Sequence, residues 1–140
     1  VVLGPDGGML GRLLPMFRLA LGGRLGDGRQ MLSWVHRADV INVMRFLLVS
    51  DAESGVFNVT APEAVNNATF TRELAAAVNR PAVLPLPAPL VQLMFGEMGD
   101  RLLLHGQNVK PARLQALGFD FKYPDLRSAL AACLCDSESN

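Results

Sequence analysis

The sequence predicts an α/β fold, the C-terminal part of a Rossmann-like parallel sheet followed by a small mixed α+β subdomain on the substrate side. Three observations predict it. From residue 1 to 79, short apolar or β-branched runs alternate with segments of helical apolar spacing, and that alternation implies a layered sheet. Residues 56–60, Val-Phe-Asn-Val-Thr, read as a strand buried on both faces, as parallel strands are. Beyond Arg80 the texture changes: Pro81, Pro85, Pro87 and Pro89 interrupt the rhythm.

Each element has a local reason. Val1-Val2-Leu3 is strand-like, and Gly4-Pro5-Asp6-Gly7-Gly8 is a turn cluster. Residues 9–21 place Leu10, Leu13, Leu14, Phe17 and Leu21 on one helical face. Pro15 either starts that helix or kinks it, and Gly22-Gly23 is expected to end it. Gly26 and Gly28 form a second turn. Trp34-Val35 has strand content, and Asp39 suits the N-cap of a helix reaching about Val49. Residues 51–55 are a polar turn, and Ala61-Pro62 stops the strand at 56–60. Asn66-Asn67-Ala68-Thr69 is a capping region ahead of Phe70, Leu74, Ala77 and Val78.

In the second segment, Leu90, Leu93, Met94 and Met98 have helical spacing. Gly96 and Gly99 weaken it by roughly 1 kcal/mol each and are read as sites of close approach by another element. Residues 101–104 continue the apolar content. Pro111 opens a short helix over 112–117 that Gly118 caps. Residues 119–123 alternate with period two, an edge strand. Pro124-Asp125 opens a last helix with Leu126, Leu130 and Leu134 inward. Three regions follow: 1–80 sheet domain, 81–135 small C-terminal domain, 136–140 disordered tail. The abrupt opening in mid-strand gives the expectation of a fragment of a longer protein.

Composition narrows the function. Half of the 140 residues are hydrophobic, and 13 Lys+Arg balance 13 Asp+Glu for a formal net charge of +0. A nucleic-acid binder working through a basic face is excluded, because phosphate contacts supply most of that affinity. No run of roughly 18 apolar residues indicates a membrane span. The start lacks the basic n-region and long apolar run of a signal peptide. Cys133 and Cys135 are too close to bridge readily. They read as unpaired thiols of a reducing compartment, the cytoplasm, or the mitochondrion in a eukaryote. Neither His36 nor His105 has metal-ligand spacing with them, so no metal is expected. Neither glycine cluster forms G-x-G-x-x-G, and no G-K-[ST] follows.

The organising stretch is 26–40. A strand end that delivers Trp34 and His36 beside a helix start is a common way to build a pocket wall. The alternative is that Trp34 is core and His36 a hydrogen-bonded, partly buried residue.

Taken together, Val1-Val2-Leu3-Gly4-Pro5, Gly26-Asp27-Gly28-Arg29-Gln30 and Trp34-Val35-His36-Arg37-Ala38-Asp39 resemble the later half of extended short-chain dehydrogenases/reductases. Phe57-Asn58-Val59-Thr60-Ala61-Pro62 resembles a late strand of the atypical group called epimerase family proteins. Leu86-Pro87-Ala88-Pro89, Gln107-Asn108-Val109-Lys110-Pro111-Ala112-Arg113-Leu114 and Gly118-Phe119-Asp120-Phe121-Lys122-Tyr123-Pro124 resemble that group's small C-terminal domain.

The resemblance implies NAD or NADP bound at an N-terminal glycine motif and a Tyr-x-x-x-Lys pair for proton transfer. Neither is in this chain: the only tyrosine is Tyr123, and Arg127 stands four residues after it. No catalytic, cofactor-binding or metal-binding residue is therefore expected, and no dinucleotide binding by this chain alone. The residues expected to line a small-molecule substrate pocket are Val2, Leu3, Gly4, Leu32, Trp34 and His36. Sugar-nucleotide relatives carry asparagine where Val1 stands and a diphosphate-binding arginine where Leu32 stands. Losing that donor favours a smaller or more apolar ligand. The expected function is the substrate-side wall of an NAD(P)-dependent epimerase or oxidoreductase, inactive by itself. The alternative is a non-catalytic interaction module on the same fold. Exposed strand edges give the further expectation that the chain self-associates, through 1–3 or 56–60.

Overall fold

The computed structural model describes residues 1–51, 54–98, 101 and 105–139. Strand β1 (Val2–Leu3) leads into helix α1 (Gly8–Arg18), then β2 (Met31–Leu32), β3 (Val35–His36) and α2 (Arg37–Val49). Strand β4 (Val65–Asn66) precedes α3 (Asn67–Val78), α4 (Ala88–Met98), α5 (Ala112–Ala116) and α6 (Leu126–Glu138). β1 pairs parallel with β3, Val2 opposite Val35 and Leu3 opposite His36. β2 pairs antiparallel with β4, Met31 opposite Asn66 and Leu32 opposite Val65. The β2–β4 pair has no counterpart in the sequence reading, because two residues are too few for a period to register.

The core lies between these ribbons and helices α1, α3 and α6. Leu10, Leu13, Leu14 and Phe17 of α1 meet Phe70 and Leu74 of α3 and Ala129, Leu130 and Cys133 of α6. Trp34 and Leu3 join the same cluster. Burying side chains of this size is worth roughly 1.5–3 kcal/mol each.

Several local expectations are corrected. Helix α1 runs through Pro15 rather than starting or kinking there. It ends at Arg18, with Ala20 in the left-handed region at φ 58°, so Gly22-Gly23 do not terminate it. Gly23 serves another need: a Cβ there would overlap the Leu84 carbonyl. Helix α2 starts two residues earlier than expected and is capped by His36, whose Nδ1 accepts from Ala38 N–H (3.0 Å). Asp39 is instead inside the first turn, and its carboxylate serves a distant segment.

Residues 56–60 are not a buried strand; they pair with no strand among the described residues, and Val56 is 83% exposed. Residues 119–123 are not a strand either. The backbone N–H groups of Lys122 and Tyr123 are claimed by Asp39 (2.8 and 2.9 Å), leaving no ladder to form. Phe119 instead packs edge-on between Phe46 and Phe121.

Asn66 caps α3 as expected, accepting from Thr69 N–H at 2.8 Å, and Asp125 caps α6 through Ser128 N–H at 2.9 Å. Helix α6 continues to Glu138, into the segment expected to be a disordered tail. Gly96 bends α4 at φ 63°; a Cβ there would meet nothing within 4 Å, so no element among the described residues approaches it closely. Gly99 and residues 102–104 lie outside the described residues.

Candidate functional site

The backbone around β1, β2 and β3 encloses a cleft of about 270 Å³ lined by Val1, Leu32, Ser33, residues 57–60, Gln107 and Val109. Its architecture follows from a few hydrogen bonds. Val35 N–H donates to the Val1 carbonyl (2.9 Å) and Ala61 N–H to the Trp34 carbonyl (2.7 Å). These fix Val1 and Ala61, next to residues 57–60, against the backbone at Trp34-Val35, between β2 and β3. The fourth side is the segment 105–109, whose Gln107 N–H donates to the Met31 carbonyl (2.9 Å). Gly106 permits that approach: its φ is +67°, and a Cβ would lie 2.7 Å from Met31 backbone atoms.

Ser33 is the pivot. Its hydroxyl donates to the Gln107 carbonyl (2.7 Å) and accepts from Val109 N–H (2.8 Å). Thr60 Oγ1 donates to the Val109 carbonyl (3.3 Å). The cleft thus presents side chains of Asn58, Thr60 and Gln107 beside the apolar surfaces of Leu32, Phe57 and Val59. No charged side chain lines it among the described residues. Arg113, which contacts the lining residue Phe57, is committed: Nη1 donates to the Val56 carbonyl (3.1 Å), and the guanidinium stacks 4.2 Å from the Phe57 ring centre.

Of the six residues expected from sequence, Leu32 lines this cleft. Val2 sits on the outer edge of β1, half-exposed, and Leu3 is wholly buried behind it. Gly4 packs beside the Arg37 side chain. Trp34 is 1% exposed, its indole N–H without a hydrogen-bond partner among the described residues. His36 is 4% exposed. Its Nδ1 accepts from Ala38, so the neutral ring carries its proton on Nε2, which also has no described partner. The ring rests 4.2 Å from that of Tyr123. Burial pushes the His36 pKa below its ordinary value, with Asp39 opposing, so the ring is neutral at pH 7.

The sequence reading missed Ser33, Asn58, Thr60 and Gln107. One signal was available, since Asn58 interrupts an otherwise apolar run. Among the described residues no group of His, Cys, Asp or Glu could hold a metal ion, and no helix is long and apolar enough to cross a membrane.

Comparison with known proteins sets this geometry in context. Residues 86–133 match the family described as Domain of unknown function (DUF1731). The chain is 44% identical over 130 residues to the epimerase family protein Mb2239 of Mycobacterium bovis, covering 93% of this chain and 43% of that protein. It is 42% identical over 130 residues to the human epimerase family protein SDR39U1, covering 93% of this chain and 44% of that one. A crystal structure of the human protein, solved with NADPH, superimposes with a TM-score of 0.89 at 38% identity over 100% of this chain and 46% of that one. The chain therefore spans less than half the length of the relatives it matches.

Proposed function

We propose, from the premise that this chain is homologous to the C-terminal region of the epimerase family proteins of the extended short-chain dehydrogenase/reductase type, that it forms the substrate-side wall of an NAD(P)-dependent enzyme. In this reading the dinucleotide and the proton-transfer groups belong to the portion of the relatives that this chain does not span. The human relative's crystallisation with NADPH supports NADP as the cofactor of the intact protein. Residues 1–80 complete the sheet domain, and 81–135 form the small domain that closes over it.

The observation that carries the reading is a cleft lined by no charged side chain among the described residues; its one charge is the Val1 ammonium, which donates to the Ser33 carbonyl (2.6 Å). Leu32, Phe57 and Val59 offer apolar contact, while Asn58, Thr60 and Gln107 offer a few neutral donors and acceptors, the usual composition of a small-molecule pocket. A diphosphate would enter it without an arginine or lysine side chain as partner, which is costly. The substrate is thus a small, uncharged carbonyl or hydroxyl compound rather than a sugar nucleotide. Ser33 acts behind the surface, holding Gln107 and Val109 in place. Trp34, Leu3 and His36 support the wall from the core, and Val2 and Gly4 belong to its outer edge.

The test is reconstitution. The chain is joined to the N-terminal portion of the human relative, and NADPH oxidation is followed with neutral aldehydes and ketones and with UDP-glucose. Turnover of a neutral compound that falls at least about tenfold in Asn58→Ala or Gln107→Ala is expected. Binding or turnover of UDP-glucose that is insensitive to those changes overturns the assignment. For the chain alone, saturable micromolar NADPH binding would contradict it.

A further inference from the structure

We infer that the groove between α3 and residues 80–85 is a second binding site, for a small phosphate-bearing anion. It is larger than the cleft, about 610 Å³, and shares no lining residue with it. Its floor is one face of α3, where Ala68, Thr71, Arg72 and Ala75 recur at helical spacing. The short alanines leave room for a ligand to approach the helix. Its wall is Pro81, Ala82, Val83 and Pro85, stiffened by two prolines.

The wall is held in place by backbone contacts. Leu86 N–H donates to the Arg24 carbonyl (2.9 Å), Leu25 and Leu86 form a parallel bridge, and the absent Cβ of Gly23 admits the Leu84 carbonyl. Arg80 Nε donates to the Arg18 carbonyl (3.2 Å), which anchors that side chain at the groove's edge.

Three arginines, Arg24, Arg72 and Arg80, are among the residues that line this space, and no acidic residue is. None of the three belongs to the ion pairs found among the described residues, Arg37–Asp6 and Arg127–Glu73. Glu73, next to Arg72 in sequence, is engaged by Arg127 through two hydrogen bonds (3.1 and 3.3 Å). In a chain of formal net charge +0, three arginines lining one groove are a local excess of positive charge. Arginine's planar fork matches phosphate oxygens two at a time, and several forks in one concavity suit a phosphate group better than a lone carboxylate. The exposed Val83 and the two prolines offer apolar contact to whatever carries the phosphate. A groove of this size with three arginines suits a small ligand; a nucleic acid needs a longer basic track.

The experiment uses the whole chain and inorganic pyrophosphate, titrated by calorimetry, with co-sedimentation on phosphatidylserine vesicles in parallel. Pyrophosphate is expected to bind saturably and to weaken with added salt. The Arg24→Gln/Arg72→Gln double variant, both at exposed positions, should lose at least about tenfold in affinity with an unchanged thermal transition. Arg29→Gln, exposed and outside the groove, should bind as the parent does. Arg80 is left intact because it also holds the Arg18 carbonyl. If vesicles bind through the same two arginines and pyrophosphate does not, the phosphate source is a lipid headgroup and the site stands. If neither probe binds, or if the double variant and Arg29→Gln lose affinity equally, the inference is overturned. RNA held more tightly than pyrophosphate through these arginines would also overturn it.

Discussion

Ser33 illustrates how much one hydroxyl can organise. It satisfies a carbonyl and an N–H of the same strand-like segment, 107–109, and each would otherwise be left without that partner in a half-buried place. Ser33→Ala is predicted to destabilise the chain by about 2 kcal/mol and, more tellingly, to speed hydrogen exchange at the Val109 amide while leaving α6 protected. His36 gives a pH prediction. Burial holds its pKa below the ordinary 6.5. The unfolded chain therefore takes up a proton before the folded one does, and stability falls as pH drops below about 6.5. Glu73 and Asp125 are held low by the Arg127 and Ser128 hydrogen bonds respectively, so their contribution disappears only at more acid pH. The melting temperature should thus decline between about pH 7.5 and 5.5, and His36→Gln should flatten that decline. The two thiols differ as well. Cys133 is buried and its pKa is pushed up to about 11 by desolvation and by Asp136, whereas Cys135 is exposed. Iodoacetamide at neutral pH should label one thiol in the native protein and both in denaturant.

Among the elements, helices were legible in the sequence, as were β1 and β3 from Val1-Val2-Leu3 and Trp34-Val35, while β2 and β4 were not. The apolar stripes of α1 and α3 and the caps at Asn66 and Asp125 follow from spacing and local hydrogen bonding, which are properties of neighbouring residues. The strands are two residues long and exist only because a distant segment lies alongside, so a period of two had nothing to act on. Residues 56–60 and 119–123 show the converse: both have strand composition, and neither has a strand partner. The candidate pocket shared this fate. Leu32 could be placed by resemblance, while Gln107 reaches the cleft through a backbone bond to Met31 that no local pattern encodes. The same non-local logic governs α2. Its fully buried Asp39 carboxylate accepts from Lys122 and Tyr123, tying the start of the helix to the segment ahead of α6. Asp39→Ala should cost about 3 kcal/mol, since charged hydrogen bonds are lost and two amides are orphaned. Chemical denaturation would measure it; a cost below about 1 kcal/mol would mean that water replaces the carboxylate.

At the scale of the whole molecule, the outer surface carries apolar side chains that a compact domain of this size usually covers. Met44, Leu48 and Val49 lie exposed along α2, Leu48 and Val49 at 85%. Val2 is half-exposed, and β1 pairs with β3 alone among the described residues. An open strand edge beside an apolar helix face is a template for association. We predict that the chain forms dimers or larger species at tens of micromolar, with Val2→Lys and Leu48→Lys together shifting it toward monomer. Light scattering after size exclusion decides the matter: a sharp monomer peak for the parent chain at high concentration would rule the prediction out.

The Asp39 clamp also bears on how such a chain is made. A ribosome adds Asp39 more than eighty residues before Lys122 and Tyr123, and at bacterial or eukaryotic elongation speeds that interval is on the order of seconds. Throughout it the carboxylate stays hydrated and the helix start is unanchored. Synthesis that stalls before residue 122 would therefore leave the early elements in a half-assembled form, open to chaperones, and the last quarter of the chain would be what locks them.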